Sequence, residues 1–532
     1  MAVSAESRHG RGRPAFAWAG SNGWSWFPVA VTIVLAAIPL LYVLTGSVDA
    51  GASRLAALLF RPYIGRLLIH TAELVVSVTA ASVALGIGAA WLVERADLPL
   101  RGLWRALLPL PLAIPAFVSS FAWVSIGPAF EGMGGAIFIL ALAEYPLIYL
   151  PASAALRGMD PALDEVAQSL GLSRWAIFWR NTMPQLRPVI ANGALLIASH
   201  MLVDFGAFAF LRVQTFTTAI YEEFDLEFNS ATGVSLAAVL LALCLLLLVL
   251  EARMKGSLRR YARVGSGTRR ALPPVQLGAW RWLAAAVLSA MVATGVGVPV
   301  MTLLYWVVSG HSQAALHDIA NATGTTIWLG ALGALAATVL GTALALSARR
   351  NSRTTLARIA ARLPFFIHAL PGLVVALALV FTALRYADFL YQTTALLMIG
   401  YVTLYVPLVQ TAVQTPLAQL PRRLEEVARS LGRRPVAVFA SVTFPNISAG
   451  IGAGAALVFL QVMKELTATL ILLPTGLDTL SIEIWQHARD MEYAAAAPYA
   501  LLLIALSGVP VYLLMRGLYG RSANVSADWV QQ

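Results

Sequence analysis

Long apolar segments alternate with short polar ones along most of this chain. Runs of about 20 apolar residues recur, and this is the length that an α-helix needs to cross the hydrocarbon core of a bilayer. The pattern therefore predicts an all-α, polytopic helical membrane protein with about 12 transmembrane helices. We number them spans 1 to 12 and expect them at about 25–46, 68–93, 104–127, 135–157, 188–212, 232–251, 282–308, 324–348, 363–384, 393–416, 446–473 and 496–516.

Two polar segments between spans share one sequence pattern. The first, EVAQSLGLSRWAIFWRNTMP, covers residues 165–184, and the second, EVARSLGRRPVAVFASVTFP, covers residues 426–445, a shift of 426 − 165 = 261 residues. Each copy predicts a short helix, a glycine that ends it in a left-handed conformation (Gly171 or Gly432), and a second short helix. We call these segments elbow 1 and elbow 2.

The duplication extends beyond the elbows. Each half of the chain holds six spans with an elbow before its fifth, and an even number of spans makes the two repeats parallel in topology. The other aligned features are residues 70–95 with 325–350, Gly86 with Gly341, and Tyr145, Tyr149 and Pro151 with Tyr401, Tyr405 and Pro407. The predicted organisation is an N-terminal tail (1–24), a first repeat (25–251), a basic linker (252–281), a second repeat (282–519) and a C-terminal tail (520–532).

The distribution of charge predicts the orientation in the membrane. With the N-terminus inside, 30 of the 37 Lys and Arg residues lie in cytoplasmic segments, six lie outside and Lys464 lies within a span. This agrees with the positive-inside rule and places both elbows and both termini in the cytoplasm. The net charge of +11 then reflects topology and attraction to anionic lipid, and no nucleic-acid partner is expected.

Composition limits the chemistry that the chain can perform. Only 12% of its residues are charged, about half of what soluble domains carry. The single cysteine, Cys244, excludes a disulfide within the chain. Its two lysines, Lys255 and Lys464, are not followed by Ser or Thr, so there is no phosphate-binding loop. We expect no cofactor bound by this chain, and any ATP must be bound by a separate subunit.

Both elbows resemble the EAA loop of ATP-binding-cassette (ABC) importer permeases. That pattern has a glycine six residues after its glutamate and a proline thirteen residues after the glycine. Val166 and Val427 depart from it, because they replace its first alanine. The matching residues are Glu165, Ala167, Gly171 and Pro184 in elbow 1, and Glu426, Ala428, Gly432 and Pro445 in elbow 2.

The resemblance implies a type I ABC importer permease fold and a set of partners. Two copies of an ATP-binding subunit would each seat one elbow in a groove, and a periplasmic binding protein would deliver the solute. Glu165 and Glu426 would contact the ATPase, and the two glycines would allow the bend. The remaining elbow residues, Ala167, Ala428, Leu170 and Leu431, would pack within the elbow.

Four further stretches resemble bacterial ferric-iron permeases of the fused, twelve-span form. This resemblance implies ferric iron as the solute, but similar permeases carry thiamine, aminophosphonates, sulfate or molybdate, so those alternatives stay open. The stretches are DFGAF (204–208), FTTAIY (216–221), MKELTATLILLP (463–474) and DMEYAAAAPYA (490–500).

Asp204 and Glu465 are acids within spans 5 and 11, at the same shift (465 − 204 = 261). Ionisable residues in a membrane are costly and often functional, so one interpretation is that the pair lines the translocation path. The other is that both acids are hydrogen-bonded between helices. Glu144 and His200 are interpreted as packing residues, and no cluster with the spacing of a metal site is present.

Two other classes of protein remain to be weighed. A twelve-span secondary transporter also has two parallel six-span halves, but it does not account for the elbows. A membrane-embedded enzyme would need a catalytic constellation, and none is visible. The sequence therefore favours a permease that works by alternating access, with ATP binding and hydrolysis in partner subunits driving the two halves through the elbows.

Overall fold

The computed structural model describes residues 26–50, 61–225, 230–258, 274–310, 315–350 and 370–527, with a few positions between 351 and 369. The predicted N-terminal tail, the centre of the basic linker and the end of the C-terminal tail lie outside the described residues. The described part of the chain is helical and contains no strand. One isolated bridge pairs Ala96 with Val275.

Each of the predicted spans corresponds to helix. Span 3 is a bent pair of helices, Arg101–Ala113 and Ala116–Val124. The described part of span 9 is a shorter apolar helix, Gly372–Tyr386. Among the described residues, 10 helices are long and apolar enough to cross a membrane. These are Phe27–Gly46, Pro62–Arg95, Gly132–Gly158, Arg174–Val203, Ala231–Glu251, Trp280–Ser309, Leu316–Arg350, Thr394–Gln419, Pro435–Lys464 and Tyr493–Tyr512.

Span 3 is not the single helix that hydropathy predicts. Its two parts meet at an angle of 87°, and three prolines, Pro109, Pro111 and Pro115, lie at or beside the bend. Proline lacks the backbone N–H and clashes with the preceding turn, so three of them within seven residues interrupt the helix.

Spans 5 and 11 are also interrupted, where the sequence predicted continuous helices over 188–212 and 446–473. In span 5, the helix ends at Val203 and a short helix, Gly206–Phe210, follows. In span 11, the helix ends at Lys464 and the short helix Thr467–Leu472 follows. We call these interruptions break 1 and break 2. They fall at the same place in the two repeats.

The two repeats match in space, but with a different register in spans 4 and 10 than the sequence suggested. A Cβ at Gly86 would lie 2.6 Å from Ile148, and a Cβ at Gly341 would lie 2.8 Å from Val409. Since 148 + 261 = 409, this stretch follows the same shift as the elbows. The tyrosine alignment was wrong by five residues, because it used a shift of 256 (401 − 145) in place of 261. The wrong pairs are Tyr145 with Tyr401, Tyr149 with Tyr405 and Pro151 with Pro407.

The first span of each repeat packs against the other repeat. Tyr42 of span 1 stacks on Phe381 of span 9 with ring centroids 5.1 Å apart. Trp306 of span 7 donates a hydrogen bond from its indole nitrogen to the hydroxyl of Ser125, beside span 3, at 3.0 Å. This exchange joins the two repeats into one body. Spans 5 and 11 each start in an elbow. We call the side at these helix starts the elbow face and the side at their other ends the opposite face.

Candidate functional site

Both elbows begin with a nine-residue helix that ends two residues before a left-handed glycine. This helix starts four residues before each motif glutamate, and from here on we include all of it in the elbow. The helices are Pro161–Ser169 and Arg422–Ser430. Gly171 has φ +79° and Gly432 has φ +78°, which confirms the predicted caps. A Cβ at either position would meet nothing within 4 Å. Glycine is therefore favoured there by the backbone conformation and not by lack of space.

The two caps share one hydrogen-bond pattern. In elbow 1, the Gly171 amide donates to the Gln168 carbonyl at 2.9 Å and the next amide donates to the Ala167 carbonyl at 3.1 Å. In elbow 2, the Gly432 amide donates to the Arg429 carbonyl at 2.9 Å and the next donates to the Ala428 carbonyl at 3.3 Å. This is the Schellman arrangement, which satisfies carbonyls at the helix end and fixes the direction in which the chain leaves the elbow.

The second part of each elbow is continuous with the following span. In elbow 1, the helix that starts at Arg174 passes through a π turn, Phe178–Thr182, and runs on to Val203. Elbow 2 has the same π turn at Phe439–Thr443. The predicted second short helix is present, as Arg174–Ile177 or Pro435–Val438, and Pro184 and Pro445 lie in the first turn after the π turn, as predicted. The sequence did not predict that this helix would be continuous with the following span. The helix that starts in each elbow therefore has no break before it enters span 5 or span 11.

Both elbow helices expose the same residues to solvent. Leu170 is 75% exposed and Leu431 is 77% exposed, so the expectation that these leucines pack within the elbow is wrong. Glu165 and Glu426 are exposed beside them. Exposed apolar side chains rimmed by charge are typical of a protein interaction surface. The full apolar set is Leu163, Val166 and Leu170 in elbow 1, and Leu424, Val427 and Leu431 in elbow 2.

The inner side of elbow 1 carries an ion pair that sequence reasoning missed. Asp164 lies 3.4 Å from the Arg95 guanidinium at the end of span 2, and both side chains are 12% exposed. The Asn181 amide donates to the other carboxylate oxygen at 2.5 Å. Asp164 therefore ties three elements together: the elbow helix, span 2 and the π turn that leads into span 5.

Glu425 makes the equivalent connection in elbow 2. Its carboxylate accepts a hydrogen bond from the Thr443 hydroxyl in the π turn at 3.0 Å and lies 4.0 Å from the Arg349 guanidinium at the end of span 8. Arg349 also donates to the carbonyls of Leu417 and Leu420 at 2.7 and 2.8 Å. The only sequence signal for these two contacts was an acid directly before each motif glutamate. The partner of Asp164, Arg95, is 69 residues away in the chain.

Asp204 and Glu465 lie at break 1 and break 2, where each carboxylate caps the short helix that follows. The Asp204 carboxylate accepts a hydrogen bond from the Ala207 amide at 3.1 Å, and the Glu465 carboxylate accepts one from the Ala468 amide at 2.8 Å. The second oxygen of Glu465 accepts from the Tyr405 hydroxyl at 2.5 Å. Both acids thus have a structural role in satisfying backbone amides that the breaks leave open.

Aromatic side chains from both repeats meet beside the breaks. Phe205, the residue after Asp204, lies 4.7 Å from the Tyr221 ring and 5.3 Å from the Trp485 ring, between centroids. Tyr221 and Trp485 themselves are 6.2 Å apart in an edge-to-face arrangement. A Cβ on Gly206 would lie 2.7 Å from Leu466, so the two breaks are in contact. Residues of the two repeats thus contact each other beside the breaks.

Other ionisable residues within the spans have local partners. His200 and Glu144 approach to 3.2 Å, which agrees with their interpretation as packing residues. The Lys464 ammonium donates to the carbonyl of Leu112, in the interrupted part of span 3, at 2.5 Å. Among the described residues, no group of three or more His, Cys, Asp or Glu side chains could hold a metal ion.

A cavity of about 630 Å³ lies next to the aromatic groups. Its walls combine apolar side chains of spans 9 and 11 with polar residues of the helix Leu480–Arg489, and both Tyr221 and Trp485 line it. Because residues of both repeats form its walls, its shape depends on how the repeats are arranged relative to each other.

The fold and the paired elbows define a helical transport permease, and the comparison with known families agrees. Residues 82–260 and 337–523 both match the family described as binding-protein-dependent transport system inner membrane component. The chain belongs to this family. It is the transmembrane permease subunit of an ABC importer and a multi-pass inner-membrane protein, and its partners are a separate ATPase and a binding protein. The secondary-transporter and enzyme alternatives are thereby set aside.

Individual relatives span a range of similarity. The Fe(3+)-transport system permease protein FbpB 2 of Haemophilus influenzae is 41% identical over 497 residues, which are 92% of this chain and 98% of that protein. The ferric transport system permease protein FbpB of Actinobacillus pleuropneumoniae is 23% identical over 70% of this chain and 57% of its own length. The molybdenum transport system permease protein ModB of Escherichia coli is 32% identical over 24% of this chain and 62% of its own length.

Proposed function

We propose that this chain forms the translocation path of a ferric-iron importer. The observation that carries the proposal is the 41% identity along 92% of the chain to a permease named for Fe(3+) transport. The similarity to the molybdenum permease covers only 24% of the chain, and it supports the shared architecture more than a shared solute. Thiamine, aminophosphonate, sulfate and molybdate are the competing solutes.

Two copies of the ATP-binding subunit dock on the two elbows. The support is that both elbows expose the same apolar residues beside an exposed glutamate, as two copies of one partner require. In this assembly Glu165 and Glu426 make polar contacts to the ATPase, and Gly171 and Gly432 set the direction of each elbow. ATP is bound by the partner, and this chain binds no cofactor.

The elbow face is cytoplasmic, and both termini lie on that side in contact with anionic lipid. The binding protein docks on the opposite face, and the two repeats, 25–251 and 282–519, rock about the path between them. Asp204 and Glu465 lie on this path at the two breaks, where span 5 and span 11 are interrupted and contact each other. An acidic pair at this point suits a cationic or metal-bearing solute.

Uptake of radioactive ferric iron tests the proposed solute. The chain is produced with its cognate ATPase and binding protein in a host that lacks its own ferric importers, and the control is the same host without the ATPase subunit. We expect uptake that needs the ATPase and that excess unlabelled thiamine, aminophosphonate or molybdate does not reduce. An assembled complex with ATPase activity but no iron uptake would contradict the ferric proposal and leave the permease class intact.

A further inference from the structure

Asp164 and Glu425 occupy one position of the two elbows, directly before each motif glutamate. We propose that these two carboxylates are positioning residues: each makes its elbow move as one body with the second span of its repeat, span 2 or span 8. A displacement imposed on the exposed side of the elbow is then delivered to two spans at once. The inference rests on the proposed docking of ATPase subunits on the elbows.

In elbow 1, the contacts of Asp164 connect the elbow helix to span 2 and to the π turn. The carboxylate of Asp164 is shared between Arg95 at the end of span 2 and Asn181 in the π turn, with one oxygen facing each. Both members of the ion pair are largely shielded from water. Removing one partner of a shielded pair leaves an uncompensated charge, so the pair resists separation when the elbow is displaced.

Elbow 2 makes the same connection with different residues. The donor in the π turn is Thr443, one position beyond the counterpart of Asn181. Arg349, one position before the counterpart of Arg95, lies 4.0 Å from Glu425, and its guanidinium is held by two backbone carbonyls near the start of the elbow. The same arrangement therefore recurs with a different acid, a different π-turn donor and a differently anchored arginine. Because the residues differ, the recurrence indicates that each elbow needs to be held to its own repeat.

The direction of adjacent side chains supports a division of labour. In elbow 1, Glu165 points to solvent whereas Asp164 is buried, and in elbow 2, Glu426 is exposed whereas Glu425 is partly buried. On a nine-residue helix, neighbouring positions face about 100° apart. One acid is therefore available to the partner while its neighbour is held by the permease itself.

The test uses the complete complex of permease, ATPase and binding protein in proteoliposomes, with the Asp164→Asn and Glu425→Gln variants. The matched control is Asp160→Asn, because Asp160 caps the same helix through the Ala162 amide and asparagine is an equally good cap. The readouts are the amount of ATPase that co-purifies with the permease and the stimulation of ATP hydrolysis by loaded binding protein.

We expect unchanged co-purification and a loss of stimulation on the order of tenfold in both variants, with the control at the wild-type level. The exchanged variant, Arg95→Asp with Asp164→Arg, should recover part of the stimulation, a recovery that a purely local role of Asp164 does not predict. The exchanged variant also tests the proposal if Asp164→Asn inserts poorly into the membrane.

Three results would overturn the proposal: wild-type stimulation in the single variants, loss of ATPase from the purified complex, or an exchanged variant that inserts normally without recovery. The readout does not require knowledge of the solute. Failure of the ferric-iron proposal would appear as a lack of iron uptake by the wild-type complex, and is therefore distinguishable from failure of this one.

Discussion

The outer and inner sides of the two elbows differ in how closely they repeat. On the outer side, the exposed leucines, valines and glutamates recur at one shift of 261 residues with nearly equal exposure, 75% at Leu170 and 77% at Leu431. On the inner side, Asp164 with Asn181 in elbow 1 is replaced by Glu425 with Thr443 in elbow 2. The outer side of each elbow is exposed, whereas the inner side faces its own repeat.

This difference indicates which constraints act on a duplicated permease. Two copies of one ATPase would require two identical docking surfaces, so the outer sides stay alike. The inner sides need only hold the elbow to its span, and any charge-assisted contact of the right length satisfies that need. The predictions below test whether the outer sides are equivalent and the inner sides are not.

The largest effect is expected on the outer sides. Leu170→Asp or Leu431→Asp places a charge at the centre of the apolar docking surface, and buried apolar anchors of an interface are worth at least about 2 kcal/mol. We expect each variant to weaken ATPase binding by about thirtyfold, to the same degree, measured by titration of the ATPase onto purified permease. Unequal effects would contradict the equivalence of the two elbows.

Substitutions at the two breaks should have a smaller effect, and they should reduce uptake without changing ATPase binding. Asp204→Asn and Glu465→Gln keep an oxygen that can accept from the Ala207 or Ala468 amide, but they remove the negative charge. If the acids line the path of a cationic solute, we expect ferric-iron uptake to fall about tenfold, a coupling of roughly 1.4 kcal/mol, with ATPase binding unchanged. Unaltered uptake would leave them with a structural role only, as capping residues of the breaks.

The glycine caps offer a conformational test of the same comparison. An L-residue other than Gly or Asn in the left-handed region costs about 1–2 kcal/mol, and no neighbour obstructs a Cβ at Gly171 or Gly432. We expect Gly171→Ala and Gly432→Ala to reduce binding-protein-stimulated ATP hydrolysis by roughly fivefold, while the Asn variants lose less. An alanine variant equal to wild type would show that the cap geometry is not needed for coupling.

The sequence predicted the parts of the molecule that depend on local pattern. The spans follow from apolar runs, and the elbows follow from a motif present twice. The breaks at Asp204 and Glu465 were missed because the apolar run continues on both sides of one acid, so hydropathy averages over the interruption. The Arg95–Asp164 pair was missed because its partners are 69 residues apart, and only packing of span 2 against the elbow brings them together.

A connection at the end of span 2 should produce a smaller effect. Near the end of the linker, the Val275 amide donates to the Arg95 carbonyl at 2.7 Å and the Leu277 amide donates to the Asp97 carboxylate at 2.7 Å. These two hydrogen bonds hold the chain segment that carries Arg95. Asp97→Ala leaves the Leu277 amide without its acceptor, so we expect about 1 kcal/mol of lost stability, seen as faster amide exchange at residues 95–97 with no change at the end of span 8.

The smallest expected effect is a pH response confined to the second repeat. Glu483 lies in the helix Leu480–Arg489, outside the spans. Burial and the nearby negative charges of Asp478 and Asp318 raise the pKa of its carboxyl above the ordinary value, although His487 opposes them. Since the folded state favours the protonated acid, ionisation of Glu483 destabilises the fold at pH above the raised pKa, and this penalty disappears as the pH falls through it.

Replacing Glu483 by Gln should therefore raise the unfolding temperature of the purified chain at neutral pH and change it little at mildly acidic pH. Residues 215–221 resemble residues 479–485 at a shift of 264 (479 − 215), and the position of the first repeat that corresponds to Glu483 is Ala219, which carries no charge. A stabilisation by Glu483→Gln that is equal at both pH values would contradict the titration and indicate a packing effect. A pH response that vanishes only in the Glu483 variant would mean that this outer helix is an element in which the two repeats differ electrostatically.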